Sequence, residues 1–138
     1  LDIGARRPLG IGAGALALLA FQPDADVARV LATGQAARRD FAGFGTEQLT
    51  QMIATARRTG FALNDGRIVS AMMAVGVPVR DGSGRVLGAL SVAAIRERME
   101  GARIAELVAA LQKEAADLGQ ALGHRHNAPA GRIPELQV

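Results

Sequence analysis

The segment Ser70–Ala94, SAMMAVGVPVRDGSGRVLGALSVAA, decides the fold of this chain. Two apolar runs lie on either side of Asp81-Gly82-Ser83-Gly84, whose residue types favour tight turns. Apolar runs of this length that are joined by turn residues predict a β-hairpin. Pro78 lies near the end of the first run and predicts a bulge or an edge position, because proline has no amide hydrogen for a neighbouring strand.

Side-chain size alternates along both predicted strands, so that each strand has one bulky face and one face of small residues. The bulky face predicts packing under helices. The small face predicts either an element that packs very close to the sheet or a cavity. The bulky residues are Met73, Val75, Val77, Val79, Val86, Leu90 and Val92, and the small ones are Ala74, Gly76, Ala89, Ser91 and Ala93, with Met72 as the exception on that face.

Helical patterns flank the predicted hairpin. Apolar residues at helical spacing predict three helices before it and one after it. The first is almost wholly apolar, which is typical of a helix that is buried on all sides. We expect helices from Ala13 to Phe21, from a cap at Asp24 or Asp26 to Gly34, from a cap at Thr46 to Gly60 and from about Met99 to Leu122, with a loop over residues 35–45. Residues 1–122 are therefore expected to form one domain and residues 123–138 a flexible tail.

The stretch RRPLGIGAGALALLAFQ, from Arg6 to Gln22, has three interpretations. Gly10, Gly12 and Ala15 fit a dinucleotide-binding fingerprint, but that fingerprint needs a second strand after its helix, and residues 24–34 have a helical pattern. Two arginines before an apolar run resemble a signal peptide, yet no small-residue cleavage site follows. We favour a glycine-rich turn that opens a buried helix. Whether its amides meet a ligand or its glycines only permit tight packing stays open.

The composition excludes several classes of protein. With no cysteine among 138 residues, a disulfide framework, a thiolate catalyst and a cysteine–zinc site are impossible. The 16 basic residues exceed the 13 acidic ones for a net charge of +3, but the arginines are scattered and aromatic residues make up only 3%. Stacking platforms for single-stranded nucleic acid are therefore nearly unavailable. We expect a cytoplasmic protein that does not bind DNA or membranes through these residues.

The order of these elements resembles a known family. Short motifs in common are the turn at Arg6–Ala15, G-[FY]-A-x-[ND]-[DE] at Gly60–Asp65, A-x-x-x-P-V at Ala74–Val79, D-x-x-G at Asp81–Gly84 and A-[LI]-S-V at Ala89–Val92. Their joint order and spacing over residues 3–120 are more specific than any one of them. The chain resembles the effector-binding C-terminal domain of the IclR family of bacterial transcription regulators.

This resemblance implies an α+β fold in which a GAF-like antiparallel sheet is flanked by helices. It implies that the first strands of the full domain, and an N-terminal winged helix-turn-helix domain that binds DNA, are absent from these residues. It further implies a homodimer or homotetramer. The function would be to bind a small-molecule effector and to transmit that binding to the DNA-binding domain, with no enzymatic activity and no cofactor.

By position, the resemblance places the effector between the start of the first helix and the small face of the sheet. The ligand-binding residues that it implies are Ala13, Gly14, Asn64, Met72, Ala74, Ser91 and Ala93. Polar residues that are common in the family are absent here, since Asn64 replaces an acid and Met73 an arginine. Each loss removes hydrogen-bonding capacity. We therefore expect an aromatic or largely apolar effector, with one oxygen held by the amides of Ala13 and Gly14 and by Ser91.

No residue pattern indicates catalysis or a metal site. Ser91 lacks a base nearby, since the only histidines, His124 and His126, lie in the predicted tail. Two histidines without a further fixed ligand are usually solvated. The alternative functions are a GAF- or PAS-like sensory module of a signalling protein and, less well supported, a small cofactor-binding enzyme.

Overall fold

The computed structural model describes Gly4 and residues 6–126. Within these residues, four helices and three strands follow one another. They are α1 (Ala13–Ala20), α2 (Asp24–Thr33), α3 (Thr46–Thr59), β1 (Ala62–Asp65), β2 (Met72–Arg80), β3 (Val86–Ile95) and α4 (Ala102–His126), with a 3-10 turn at Arg96–Arg98 between β3 and α4. The strands form an antiparallel sheet in the order β1-β2-β3. The expected α+β fold with helices flanking an antiparallel sheet is confirmed.

The predicted hairpin is confirmed as β2 and β3, and the carboxylate of Asp81 fixes its turn. One carboxylate oxygen of Asp81 accepts hydrogen bonds from the hydroxyl of Ser83 at 2.6 Å and from the amides of Ser83 and Arg85 at 3.0 Å each. The hydroxyl of Ser83 is the largest cause that lowers the pKa of Asp81, and the two amides add to it. These bonds hold the two strands in register at their connection.

Pro78 occupies a place in β2 where its missing amide hydrogen costs nothing to the ladder. β1 pairs with residues 73–76 of β2, so that Pro78 has a strand partner only on the β3 side, where it lies opposite Ala89. A bulge follows between Val79 and Arg80. β2 is the central strand, but beyond Gly76 it is locally an edge, which is the position that proline tolerates.

The bulky face of the sheet packs against α4, as predicted. Val75, Val77 and Val79 of β2 expose at most 2% of their surface. They contact one stripe of apolar side chains on α4, which consists of Ile104, Leu107, Val108, Leu111 and Ala115. Since full burial of one such side chain contributes about 1.5–3 kcal/mol, this layer supplies a large share of the stability.

The small face packs against α1. Every residue of α1 is buried or half-buried, and its leucines Leu16 and Leu19 pack with Leu49 of α3. The closest approach is at Gly76, where a Cβ would lie 2.5 Å from the carbonyl oxygen of Ala13. Because real Cβ atoms essentially never come within 3.0 Å of another heavy atom, only glycine lets the helix lie this close to the sheet.

Arg57 of α3 fixes the far end of α1. Its Nε and Nη2 donate hydrogen bonds to the carbonyl oxygens of Ala20, at 2.5 Å, and of Gln22, at 2.8 Å. Its Nη1 donates to the carboxylate of Asp24 at 2.6 Å. One side chain therefore satisfies one carbonyl group in the last turn of α1 and one just after it, and joins three helices.

The starts of α2 and α3 differ from the sequence expectation. Asp24 and Thr46 are the first residues of α2 and α3 rather than their caps, and the capping positions are Pro23 and Gly45. Neither cap makes a side-chain hydrogen bond. Asp24 instead favours α2 through its negative charge in the first turn, near the positive end of the helix dipole.

Two other boundaries also differ. α4 begins at Ala102 rather than Met99, because the 3-10 turn and Gly101, with a φ of 59°, redirect the chain first. It continues to His126, four residues past the predicted end at Leu122. β1 was not expected, since four residues are too few to show an alternating pattern. Of the predicted tail, residues 127–138 lie outside the described part of the chain.

Replacing Gly76 with alanine tests the close contact between α1 and the sheet. The added methyl group would collide with the backbone of Ala13, so that the free energy of unfolding should fall by about 1–3 kcal/mol. Gly88 is the matched control, because it lies on β3 with nothing within 4 Å of a Cβ. Gly88→Ala should leave stability unchanged or raise it by about 0.5–1 kcal/mol. Equal effects of the two substitutions in urea denaturation would contradict the contact.

Candidate ligand site

The start of α1 is shaped by glycine. Gly10 and Gly12 have φ angles of 99° and 98°, which residues with a side chain rarely adopt. Gly12 is the capping residue and offers no side chain to the first turn. The amides of Ala13 and Gly14 have no acceptor within the helix, as in any first turn, and carry its positive partial charge. The two glycines therefore serve the turn into α1, which agrees with the interpretation favoured from sequence.

The first turn of α1 lies against the middle of the sheet. Ala13 and Gly14 sit over Gly76, and a Cβ on Gly14 would lie 3.0 Å from the hydroxyl oxygen of Ser91. Gly76 and Ser91 are direct cross-strand partners on β2 and β3. The structure therefore brings the helix start and the Ser91 side chain together, as the sequence predicted.

The next row of the same sheet face is less well covered. Asn64, Ala74 and Ala93 are cross-strand neighbours and lie one pleat beyond Gly76 and Ser91. Ala74 is half-buried and Ala93 is exposed. The row after it pairs half-buried Met72 with Ile95, which exposes 45% of its surface. Close packing, one of the two alternatives for the small face, is therefore confirmed at Gly76, which α1 covers. A cavity at the adjoining rows stays a prediction.

In the described structure, Asn64 is the one side chain of this face with a buried polar atom that makes no hydrogen bond. It exposes only 6% of its surface, and its Oδ1 is buried without a hydrogen-bond donor. A buried acceptor that lacks a donor costs about 1–3 kcal/mol. Since β-sheet residues two apart point to the same face, Asn64 shares the α1 side of the sheet with Ala62, which packs under α1.

The seven residues that were expected to bind a ligand lie on one side of the sheet or in the helix turn above it. Ala13 and Gly14 form the turn, and the other five occupy three successive rows, which hold Ser91, then Asn64, Ala74 and Ala93, then Met72. That they bind a ligand stays a prediction. The sequence placed Gly76 on the small face, where close packing of another element was one of two alternatives, but did not identify Gly76 itself as the point at which α1 comes closest. Its own signal was a glycine among branched residues in a strand.

Two hollows of the described surface lie apart from these residues. One of about 400 Å³ lies between the hairpin turn and α4, and one of about 320 Å³ lies between α3 and β1. Neither is lined by any of the seven residues. Within Gly4 and residues 6–126, no group of three or more histidine and acidic side chains could hold a metal ion. In the same part of the chain, no helix has the length and apolar character that a membrane span requires.

Comparison with known proteins agrees with this fold. Residues 1–120 match the family described as "Bacterial transcriptional regulator IclR C-terminal". The chain belongs to the IclR C-terminal domain family. The resemblance inferred from the short motifs is thereby confirmed, and this IclR-type chain is a C-terminal regulatory domain of a transcriptional regulator.

Named relatives are transcriptional regulators. The chain is 30% identical over 113 residues to a probable HTH-type transcriptional regulator, ArcR, of Halobacterium salinarum, and the match covers 81% of this chain and 43% of that protein. It resembles the repressor BlcR of Agobacterium tumefaciens with a TM-score of 0.72 and 27% identity, over 89% of this chain and 51% of BlcR. The chain thus spans about half the length of these relatives.

A solved C-terminal domain is also similar. The C-terminal domain of the E. coli transcriptional regulator KdgR matches with a TM-score of 0.75 and 26% identity, over 88% of this chain and 74% of that domain. The three-stranded sheet with its helices therefore corresponds to most of an IclR C-terminal domain.

The buried Oδ1 of Asn64, which lacks a hydrogen-bond donor, allows a test that needs no ligand. Asn64→Leu replaces the orphaned amide with an apolar group of similar shape, so that the free energy of unfolding should rise by about 1 kcal/mol. Asn64→Asp places a buried charge there and should lower it. Chemical denaturation at neutral pH measures both. A loss of stability in Asn64→Leu would show that the amide already has a partner.

Proposed function

We propose that this chain senses a small molecule, and that the ligand lies between the first turn of α1 and the open rows of the sheet. The observation that supports this most directly is that two sets of polar groups at this place lack a hydrogen-bond partner. The amides of Ala13 and Gly14 need an acceptor, and the buried oxygen of Asn64 needs a donor. A ligand that carries an oxygen acceptor and a hydroxyl or N–H group would meet both.

The floor of the proposed site favours an apolar body. Ala74 and Ala93 present only methyl groups, and Met72 presents a flexible thioether chain that adapts to irregular shapes. Ser91 adds a single hydroxyl beside Gly14. Because such a surface offers few hydrogen bonds, a strongly polar ligand would lose more to desolvation than it regains. We therefore propose an aromatic or largely apolar effector with one oxygen at the start of α1.

The proposed output is a change in DNA binding by the whole regulator. A ligand shifts an equilibrium only through different affinities for its two states. In our proposal, the two states are arrangements of a cytoplasmic homodimer or homotetramer that differ in the spacing of DNA-binding domains, which is the distance that operators read. The named relatives are transcriptional regulators, which supports this proposal over a sensory module of a kinase or cyclase and over an enzyme.

Thermal denaturation with a set of aromatic acids tests the proposal. The probes are benzoate, phenylacetate, 2-hydroxybenzoate and 4-hydroxybenzoate, with acetate as a small aliphatic carboxylate. A probe at 100 times its dissociation constant should stabilise the protein by about 2.7 kcal/mol. Gly14→Val should abolish this effect, because its side chain would press against Ser91 and fill the space in front of the helix.

Gly88→Val is the matched control, since it adds the same side chain on the sheet where nothing lies within 4 Å. It should keep the full stabilisation by the probe. If Gly14→Val and the unsubstituted protein respond equally to a probe, the ligand binds elsewhere and the proposed site is wrong.

A further inference from the structure

The loop Gly66–Ala71, which connects β1 to β2, adjoins the open rows of the sheet. Its turn is closed by two backbone hydrogen bonds, from the Gly66 amide to the Met72 carbonyl at 3.0 Å and from the Met72 amide to the Val69 carbonyl at 2.9 Å. Gly66 has a φ of 68°, which lets the chain reverse directly after β1. The loop therefore has a defined course in the structure.

Arg96 fixes this loop from the side of β3. Its backbone amide donates to the carbonyl oxygen of Ala71 at 2.9 Å, and its Nη2 lies 2.6 Å from the carboxylate of Asp65. The two partners flank the loop, one at the end of β1 and one just before β2. One residue thus holds both ends of the loop against the sheet.

Ile68 extends from this loop to the start of α1. Its Cδ1 lies 3.8 Å from the position that a Cβ on Gly12 would occupy, so that the tip of the side chain lies beside the turn into α1. Ile68 is half-buried, whereas its neighbour Val69 exposes 54% of its surface. Of these two loop residues, only Ile68 is therefore placed beside α1.

The Ile68 side chain lies at one end of the proposed site. Along β2, Gly76 lies under α1 and Met72 lies at the foot of the loop, four residues away, which corresponds to about 13 Å of strand. Ala74 lies midway, next to Asn64. Ile68, which lies between this loop and the turn into α1, is therefore placed beside the same rows of the sheet.

We propose that Ile68 is a specificity-determining residue, which limits the size of the ligand that fits between the first turn of α1 and the β1–β2 loop. This inference rests on the proposed function, since it concerns the same site. Because the loop is held at both of its ends, it cannot move away from the sheet as a whole without breaking the contacts of Arg96. The size limit therefore depends on the Ile68 side chain itself.

A series of 4-alkylbenzoates tests the size limit. Binding of benzoate and of its 4-methyl, 4-ethyl and 4-propyl derivatives is measured by calorimetry on the full chain and on Ile68→Ala and Val69→Ala. Ile68→Ala should shift the preference toward the longer members by about tenfold or more, which is the usual effect of one methylene group in an apolar pocket. Val69→Ala should keep the preference of the unsubstituted protein, because Val69 points largely to solvent.

The outcomes separate this inference from the proposed function. If the unsubstituted protein binds a benzoate and Ile68→Ala shows the same size preference, the proposed size limit is wrong. The proposed ligand site is not contradicted by that result. If only Ile68→Ala binds a longer member, the size limit is supported. If none of the three proteins binds any member, both the proposed ligand class and the size limit are contradicted.

Thiol labelling tests the position of Ile68 without a ligand. It reports on the introduced residue alone, because the chain contains no cysteine of its own. Ile68→Cys should react with a thiol reagent about tenfold more slowly than Val69→Cys, since position 68 is half-buried and Val69 exposes 54% of its surface. Equal rates would contradict the placement of residue 68 against the protein whether or not any benzoate binds.

Discussion

The close contact between the first turn of α1 and Gly76 is the constraint on which the rest of the structure depends. A glycine in the central strand lets the backbone of Ala13 approach to a distance that no Cβ would allow. Arg57 holds the other end of the helix through the carbonyl groups of Ala20 and Gln22. With both ends fixed, the short apolar helix lies flat on the small face, and its free amides end above the sheet rather than in solvent.

The position of α1 on the sheet divides the small face into a covered part and an open part. Where α1 lies, small residues serve close packing and contribute to the core. One pleat further, the same residue types leave uncovered surface beside the buried, unpaired oxygen of Asn64. An unmet buried acceptor weakens the folded state unless something supplies a donor. A ligand-binding role would explain why such a cost persists, in the way that functional sites often depart from the most stable arrangement.

Much of the fold could be predicted from sequence, because its signals are local. Turn residues at Asp81–Gly84 and alternating side-chain size define the hairpin, its faces and the packing of α4. The four residues of β1 carry no such pattern, and only pairing with β2 makes them a strand. The site could be predicted from sequence only in part. Small residues indicated close packing or a cavity, but which of the two holds at a given residue depends on how far α1 extends over the sheet. That position, and the reach of Ile68 to Gly12, arise from contacts distant in sequence.

The central claim is that the amides of Ala13 and Gly14 face a ligand on the open side of the sheet. Titration of the ¹⁵N-labelled protein with 4-hydroxybenzoate, followed by amide chemical shifts, tests it most directly. The account predicts that the largest shifts occur at Ala13, Gly14 and the side-chain amide of Asn64, while Val77 and Val108 on the α4 side stay unchanged. Saturable binding that leaves Ala13 and Gly14 unshifted would contradict it.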